Sequence, residues 1–501
     1  MKNTVRTHLG RLKAANQKSY TGTACLVLFF LVFSFNTTLA QSTVEDRIRQ
    51  VENGLTENIQ TGNSAAANLF DRMKHFKVQG LSIAVIKDYK VDFARGYGFA
   101  DPEKRIPVTD KTLFQAASIS KSLNGLAILK LFKDRKLDLY ADINNYLKSW
   151  KFPYDSVSKG KKINMANLLS HTAGLNVHGF AGYDSGNRLP SAIQILNGEF
   201  PANSDAVRSL FPPGSRQEYS GGGTTISQLV LTDITGEKYE NYLREQVLKP
   251  LGMLSSTFVQ PPMGIRPQLL SSGFDGDGKE VKGKYHIYPE QAAAGLWTNP
   301  RDLAKYIIET QLAYQGKSAK VLDEETTKLR LSPYMNKNGA ALGVFVEDYD
   351  GVKYFGHGAG NAGFTCGYYG SFEGGNGLIV MVNSDNGEIV QELINSISKV
   401  YGFKGLNKTK KVTLAAVPDQ DLDLYLGNYQ LTPKLVLTVS REGKKVFVQA
   451  TGQPRIEAFA ESNNKFFFKT IQASMEFVKD QNGLITELIF IQGRTIHAKR
   501  L

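Results

Sequence analysis

The hydrophobic periodicity of this chain changes once, near residue 418, and that change limits what it can fold into. Upstream, apolar residues recur both at the two-residue period of strands and at the three-to-four-residue period of helices. Downstream, only short β-type runs remain, at 435–439, 445–450, 465–469, 475–479, 485–492 and 495–499, separated by turn residues such as Gly443, Gly452 and Asn482-Gly483. A chain patterned this way predicts two domains, a mixed α/β unit and then an all-β, barrel-like module. The polar, basic stretch 405–411 marks the passage, so the boundaries are 41–405 for the first domain, 406–417 for a linker and 418–501 for the second.

The first domain opens with a polar helical segment over 44–75, then strands at 81–86 and 91–98 joined by a turn at 87–90, an antiparallel hairpin. A helix follows Ser118, where Ile119, Leu123 and Leu126 share a face, and others fall at 225–235, 239–248, 300–314 and 389–400. Strands return at 341–347, 353–355, 364–370 and 377–383. Helices interrupting an antiparallel sheet whose strands come from both chain ends predict an α/β sandwich with an inserted helical region.

Residues 1–40 have their own logic. Lys2, Arg6, Arg11, Lys13 and Lys18 precede an apolar run over 24–35, and Thr38 and Ala40 set small residues before a cut after Ala40. This predicts a cleaved signal peptide and a secreted or periplasmic protein. The run falls short of the roughly 20 apolar residues of a membrane span, so none is expected after cleavage. Of the two cysteines, Cys25 leaves with the leader, and Cys366, among Phe364, Tyr368 and Tyr369, is expected to pack in a buried strand. The net charge of +13 is not gathered into a dense Lys/Arg block, which argues against a nucleic-acid partner. The expected partner is a small-molecule or peptide substrate.

His8, His75, His171, His178, His286, His357 and His497 form no His-Glu-x-x-His spacing, and Cys-x-x-Cys is absent, so neither a metal nor a cofactor is expected. Gly358 to Gly363 fits G-x-G-x-x-G, but it runs into a strand where a nucleotide site needs a helix N-terminus. A Gly-x-Ser-x-Gly elbow is also missing.

One constellation carries chemistry. Ser-x-x-Lys on a helix puts a hydroxyl and an amine on one face, one turn apart. The pattern recurs at Ser118, Ser156, Ser158, Ser396 and Ser462. Ser118-Ile119-Ser120-Lys121 alone is followed by an apolar helix and two further elements in order. The first is Tyr219-Ser220-Gly221 after Pro213-Gly214, a glycine-flanked phenol that can act as a proton acceptor near ammonium groups. The second is His357-Gly358-Ala359-Gly360, an imidazole beside small residues whose backbone N–H groups can approach a substrate carbonyl.

Together these three segments resemble the signatures of the serine β-lactamase and penicillin-binding protein superfamily, in the branch of class C β-lactamases, D-Ala-D-Ala carboxypeptidases and related esterases. Leu168 to Leu175, Pro250 to Met253 and Ala294 to Trp297 agree, and the likeness spans about 75–400. The tail is similar to the lipocalin-like module often attached to this branch. The resemblance implies a β-lactamase/transpeptidase-like fold and acyl transfer. Ser118 attacks a carbonyl, Lys121 and Tyr219 handle its proton, and the N–H groups of Ser118 and Gly360 hold the oxyanion. His357 supplies a hydrogen-bond donor near Tyr219 or a substrate carboxylate, and Gly221, Gly358 and Ala359 border the substrate. Gly221 stands where relatives usually have Asn, Ala359 where Gly is usual, and His357 where many have Lys. These departures favour a peptide, amide or ester substrate, D-residue types included, over an antibiotic. A penicillin-binding or sensor protein that is acylated without turnover, or a β-lactamase, is the alternative.

Overall fold

A computed structural model describes residues 43–501, apart from 63–64, 336–338, 433–434, 454, 470, 472 and 493. The leader expected over 1–40, with Cys25, lies outside the described residues. The centre of the first domain is a seven-stranded antiparallel sheet. Its order is Ile106–Pro107, Lys90–Asp101, Gly80–Lys87, Gly377–Val382, Phe364–Ser371, Val352–Asn361 and Phe345–Tyr349. Strands from both ends of the domain therefore meet at its middle, where Gly80–Lys87 pairs with Gly377–Val382.

That middle is apolar on both faces. Leu81, Ile83 and Val85 pack under the helices Val44–Glu52 and Glu388–Tyr401, against Ile48, Val51, Leu393 and Ile397. Ala84 and Ile86 turn the other way, into a larger core with Leu303, Ala304 and Ile307 of the helix Pro300–Tyr314. Asn299 caps that helix by accepting from the Asp302 N–H. Burying each such aliphatic side chain is worth about 1.5–3 kcal/mol, so the two faces commit the sheet to its register.

Four expectations need correction. The segment 44–75 is not one helical stretch but two helices, Val44–Glu52 and Leu69–His75, around the strand Ile59–Thr61. That strand pairs in parallel with Lys410–Val412, so the expected linker 406–417 contributes a strand to the fold. The strand expected over 341–347 starts only at Phe345, because Ala341 N–H donates to Val344 O in a tight turn with Gly343 at φ +85°. The strand expected over 353–355 continues to Asn361, which puts His357 inside it, opposite Tyr368.

The C-terminal module is a closed barrel of eight antiparallel strands. Two of them, Gly427–Thr432 and Arg455–Ala460, were not read from the sequence, because charged and polar residues such as Arg455 and Glu457 alternate with few large apolar ones. Its interior is filled by side chains including Tyr429, Phe466, Phe468 and Phe477. Tyr425, at the end of the helix Asp419–Tyr425, stacks on Phe477 with ring centroids 4.3 Å apart. Lys469 of the barrel reaches Glu57 at 3.1 Å and Thr61 at 3.0 Å.

Candidate active site

Ser118 is presented by a strained turn. Phe114–Gln115 pairs with Trp297–Thr298, and the chain then makes one 3-10 turn, Ala117–Ile119, before the helix Ser120–Asp134. Ala117 holds φ +45°, a left-handed conformation costing a residue with a Cβ about 1–2 kcal/mol. Ser120 holds the turn in place: its Oγ donates to Ala117 O at 2.6 Å and accepts from Leu296 N–H at 3.0 Å. Such strain persists only where the surroundings over-determine it.

The helix then delivers Lys121. Its buried Nζ donates to Ser118 Oγ at 3.0 Å and to Ala293 O at 2.8 Å. Tyr219 arrives from the far side of the cleft, ahead of the helix Gly221–Thr235, and its O–H donates to Ser118 Oγ at 2.8 Å. The Tyr219 segment is fixed at both ends. His178 Nδ1 donates to Tyr219 O at 2.6 Å, and Ser220 N–H donates to His171 Nδ1 at 3.2 Å. Lys121 and Tyr219 thus converge on the Ser118 hydroxyl, with the Lys121 amine also 5.0 Å from the Tyr219 ring centre.

His357 stands beside them, its ring 6.3 Å from that of Tyr219 and 5.2 Å from that of Phe345. Its Nδ1 lies 2.6 Å from Gly358 O. A carbonyl oxygen only accepts, so Nδ1 carries the proton. Burial, reinforced by the Lys121 charge, pushes its pKa down to about 4, so the imidazole is neutral at pH 7. Nε2 is then a bare acceptor, buried and without a hydrogen-bond partner among the described residues. The expected donor at this position is, in the structure, an acceptor.

The remaining expected positions separate. Gly358, Ala359 and Gly360 follow His357 along the strand that packs beside the Ser118 turn, with Gly358 and Gly360 exposed. Gly221 is buried, and its N–H donates to His178 O at 3.1 Å. A Cβ on Gly221 would meet the Phe180 ring at 3.0 Å, so Phe180 occupies the place that a side chain would take. The structure does not bring Gly221 itself to the substrate side of the cleft.

Sequence reasoning passed over several residues here. His171 lies tilted against Tyr219 with ring centroids 4.2 Å apart, and burial, then the Lys121 charge, holds it well below its usual pKa. Phe345 completes an aromatic wall with Tyr219 and His357. Asn361 donates to Gln115 Oε1 at 2.8 Å and Ala294 O at 3.1 Å, tying the strand end to the segment that holds Lys121. Glu290, just before the helix Gln291–Ala294, is fully buried near Tyr183, and burial raises its carboxyl to about 7. Only His171 had a signal, its place in the Leu168 to Leu175 segment.

The beta-lactamase family profile matches residues 65–398. The chain belongs to the beta-lactamase family. The barrel matches a domain of unknown function, DUF3471, over residues 412–499. Penicillin-binding protein 4* of Bacillus subtilis (strain 168) is 20% identical over 438 residues, covering 81% of this chain and 92% of that protein. The octameric penicillin-binding protein homologue from Pyrococcus abyssi is similar at a TM-score of 0.59 and 22% identity, covering 86% of this chain and 98% of that one. The D-amino acid amidase from Ochrobactrum anthropi SV3 is similar at 0.56 and 20% identity, over 72% and 99%. The beta-lactamase-family fold of the first domain, carrying a closed barrel behind it, is thereby shown, and members of this group are serine hydrolases and penicillin-binding proteins.

Proposed function

We propose that this protein is an exported serine hydrolase that forms a covalent acyl-enzyme on Ser118 and cleaves peptide, amide or ester bonds, with D-amino-acid amides and D-Ala peptides among its candidate substrates. One observation carries the reading: the Ser118 hydroxyl oxygen lies 3.0 Å from the Lys121 amine and 2.8 Å from the Tyr219 hydroxyl. That is the geometry of a nucleophile within reach of its proton acceptors. Ser118 Oγ bonds to the substrate carbonyl carbon while its proton passes to the Lys121–Tyr219 pair. The carbonyl oxygen takes the charge, facing the N–H groups of Ser118 and Gly360, each worth about 3–4 kcal/mol where such donors are in place. The proton then goes to the leaving nitrogen or oxygen, the bond to it breaks, and water repeats the sequence in reverse on the ester.

Export rests on the leader sequence over 1–40. The D-amino-acid amides among the candidate substrates rest on the amidase named above and on His357, which stands where many relatives have Lys. Purified protein offered p-nitrophenyl acetate and D-amino-acid amides tests the reading. Sustained product release with Ser118 acylated supports it; a single stoichiometric burst that stops would indicate a penicillin-binding or sensor protein instead.

A further inference from the structure

A helix leaves its last carbonyls without partners inside the helix, and the short helix Gln291–Ala294 meets this need with side chains from three parts of the chain. Lys121 Nζ donates to Ala293 O at 2.8 Å, Asn361 Nδ2 to Ala294 O at 3.1 Å and Gln260 Nε2 to Gly295 O at 2.7 Å. Next in the chain, Leu296 O accepts from Ala116 N–H at 2.8 Å and Leu296 N–H donates to Ser120 Oγ at 3.0 Å. The segment 293–296 is therefore the bed on which both Lys121 and the Ser118 turn lie.

Asn361 comes to this bed from the strand Val352–Asn361, directly after Gly360. It is buried, and its amide also donates to Gln115 Oε1 at 2.8 Å, while Gln115 Nε2 donates to His286 O at 2.6 Å. Backbone carbonyls only accept, so Ala294 O and His286 O fix both amides: turning either one over would set oxygen against oxygen. Gln115 lies two residues before Ala117, the residue at φ +45° in the turn. One buried side chain thus joins the strand end next to Gly360, the approach to Ser118 and the bed of Lys121.

We infer that Asn361 is a positioning residue for acyl transfer, which sets the strand bearing Gly360 against the Ser118 turn and so fixes the spacing of the Ser118 and Gly360 N–H groups around the oxyanion. The inference rests on the Ser118 acyl-enzyme reading above, in which those two groups take the charge. Asn361 acts only through the segments it joins. Its two N–H bonds matter because oxyanion donors must already be in place when the charge develops, and a displacement of about 1 Å costs up to about a hundredfold in rate.

Asn361→Leu, which keeps about the same volume and removes both donors, and Asn361→Thr, which keeps one, test this in the full-length mature protein. The substrates are p-nitrophenyl acetate and its thiono counterpart, in which sulfur replaces the carbonyl oxygen and gains little from donors placed for oxygen. Rates are taken per Ser118 labelled to completion by a fluorophosphonate, so that unfolded molecules drop out and a merely structural role leaves the values unmoved. Asn361→Leu should lower kcat for the ester by about tenfold to a hundredfold with KM within about twofold. It should slow the thiono ester less, which narrows the ratio of the two rates, and Asn361→Thr should fall between Asn361→Leu and wild type. If Asn361→Leu leaves no labelled protein, the ratio in Asn361→Thr decides in the same way. A ratio equal to that of wild type, whether or not kcat falls, would overturn the inference, as would Asn361→Thr no better than Asn361→Leu. In either case, ester hydrolysis by labelled wild type leaves the hydrolase reading standing. Wild-type protein in which Ser118 takes no fluorophosphonate would remove both.

Discussion

Residues that share one cleft here do opposite things with their protons. Lys121 makes no ion pair with a carboxylate among the described residues, and its two contacts are the nucleophile and a backbone carbonyl. Lys121→Ala should therefore lower kcat/KM for ester hydrolysis by about 10²–10⁴, the range for a lost general base, with thermal stability little changed. Glu290 gives a stability prediction. Its folded-state pKa of about 7 lies above the ordinary 4.5, so the folded chain holds a proton that the unfolded chain releases between those values. Stability from this group is intact below pH 4.5, falls as pH rises, and is lost above 7, by about 3 kcal/mol. Glu290→Gln should flatten the pH dependence of Tm between pH 5 and 8; an unchanged slope would contradict the assignment. His357 runs the other way. Its pKa of about 4 lies below 6.5, so folding resists protonation and stability is lost as pH falls from 6.5 to 4. None of this was legible in the sequence. The tautomer of His357 is set by the carbonyl of its own neighbour, and Glu290 is perturbed by how completely the fold buries it.

At the scale of elements, patterning located what burial on two faces dictates. The hairpin around 87–90, the helices near 225–235 and 300–314 and the strand near 377–383 all stand where their apolar periods put them, because each buries a defined stripe. What failed was set by backbone turns and by partners distant in sequence. The strand Val352–Asn361 outran its expected end because Phe364–Ser371 pairs with it through the glycines, which carry no hydrophobic signal. The N-terminal strand Ile59–Thr61 exists only through Lys410–Val412, about 350 residues on. The Ser118 turn is the element on which activity depends most. Ala117→Val, placing a β-branched residue at φ +45°, should destabilise the protein by more than about 1–2 kcal/mol and reduce acylation, since the turn relaxes away from Tyr219. Equal urea midpoints for variant and wild type would show that the turn carries no such strain.

The molecule as a whole joins a two-faced sheet domain to a barrel whose core is separate. The two-domain plan was readable from the change of period near 418, whereas closure was not, since the Gly427–Thr432 and Arg455–Ala460 strands are masked by polar outer faces. Aromatic side chains fill the barrel interior, so its stability depends on packing. Phe477→Ala, removing the ring on which Tyr425 stacks, should cost about 3–5 kcal/mol in a barrel-specific unfolding transition. The contacts between Lys469 and Glu57 lie near the surface, and Lys469→Ala should change Tm little, in keeping with about 0–1 kcal/mol for such pairs.

The account stands on Ser118 being the atom that takes the acyl group. Rapid quenching of the mature protein during turnover of an aryl acetate, followed by proteolysis and mass measurement, reads this directly. The peptide carrying Ser118 should gain one acetyl mass, and the gain should vanish in Ser118→Ala. An acetyl group found on another residue, or hydrolysis that proceeds undiminished in Ser118→Ala, would contradict it.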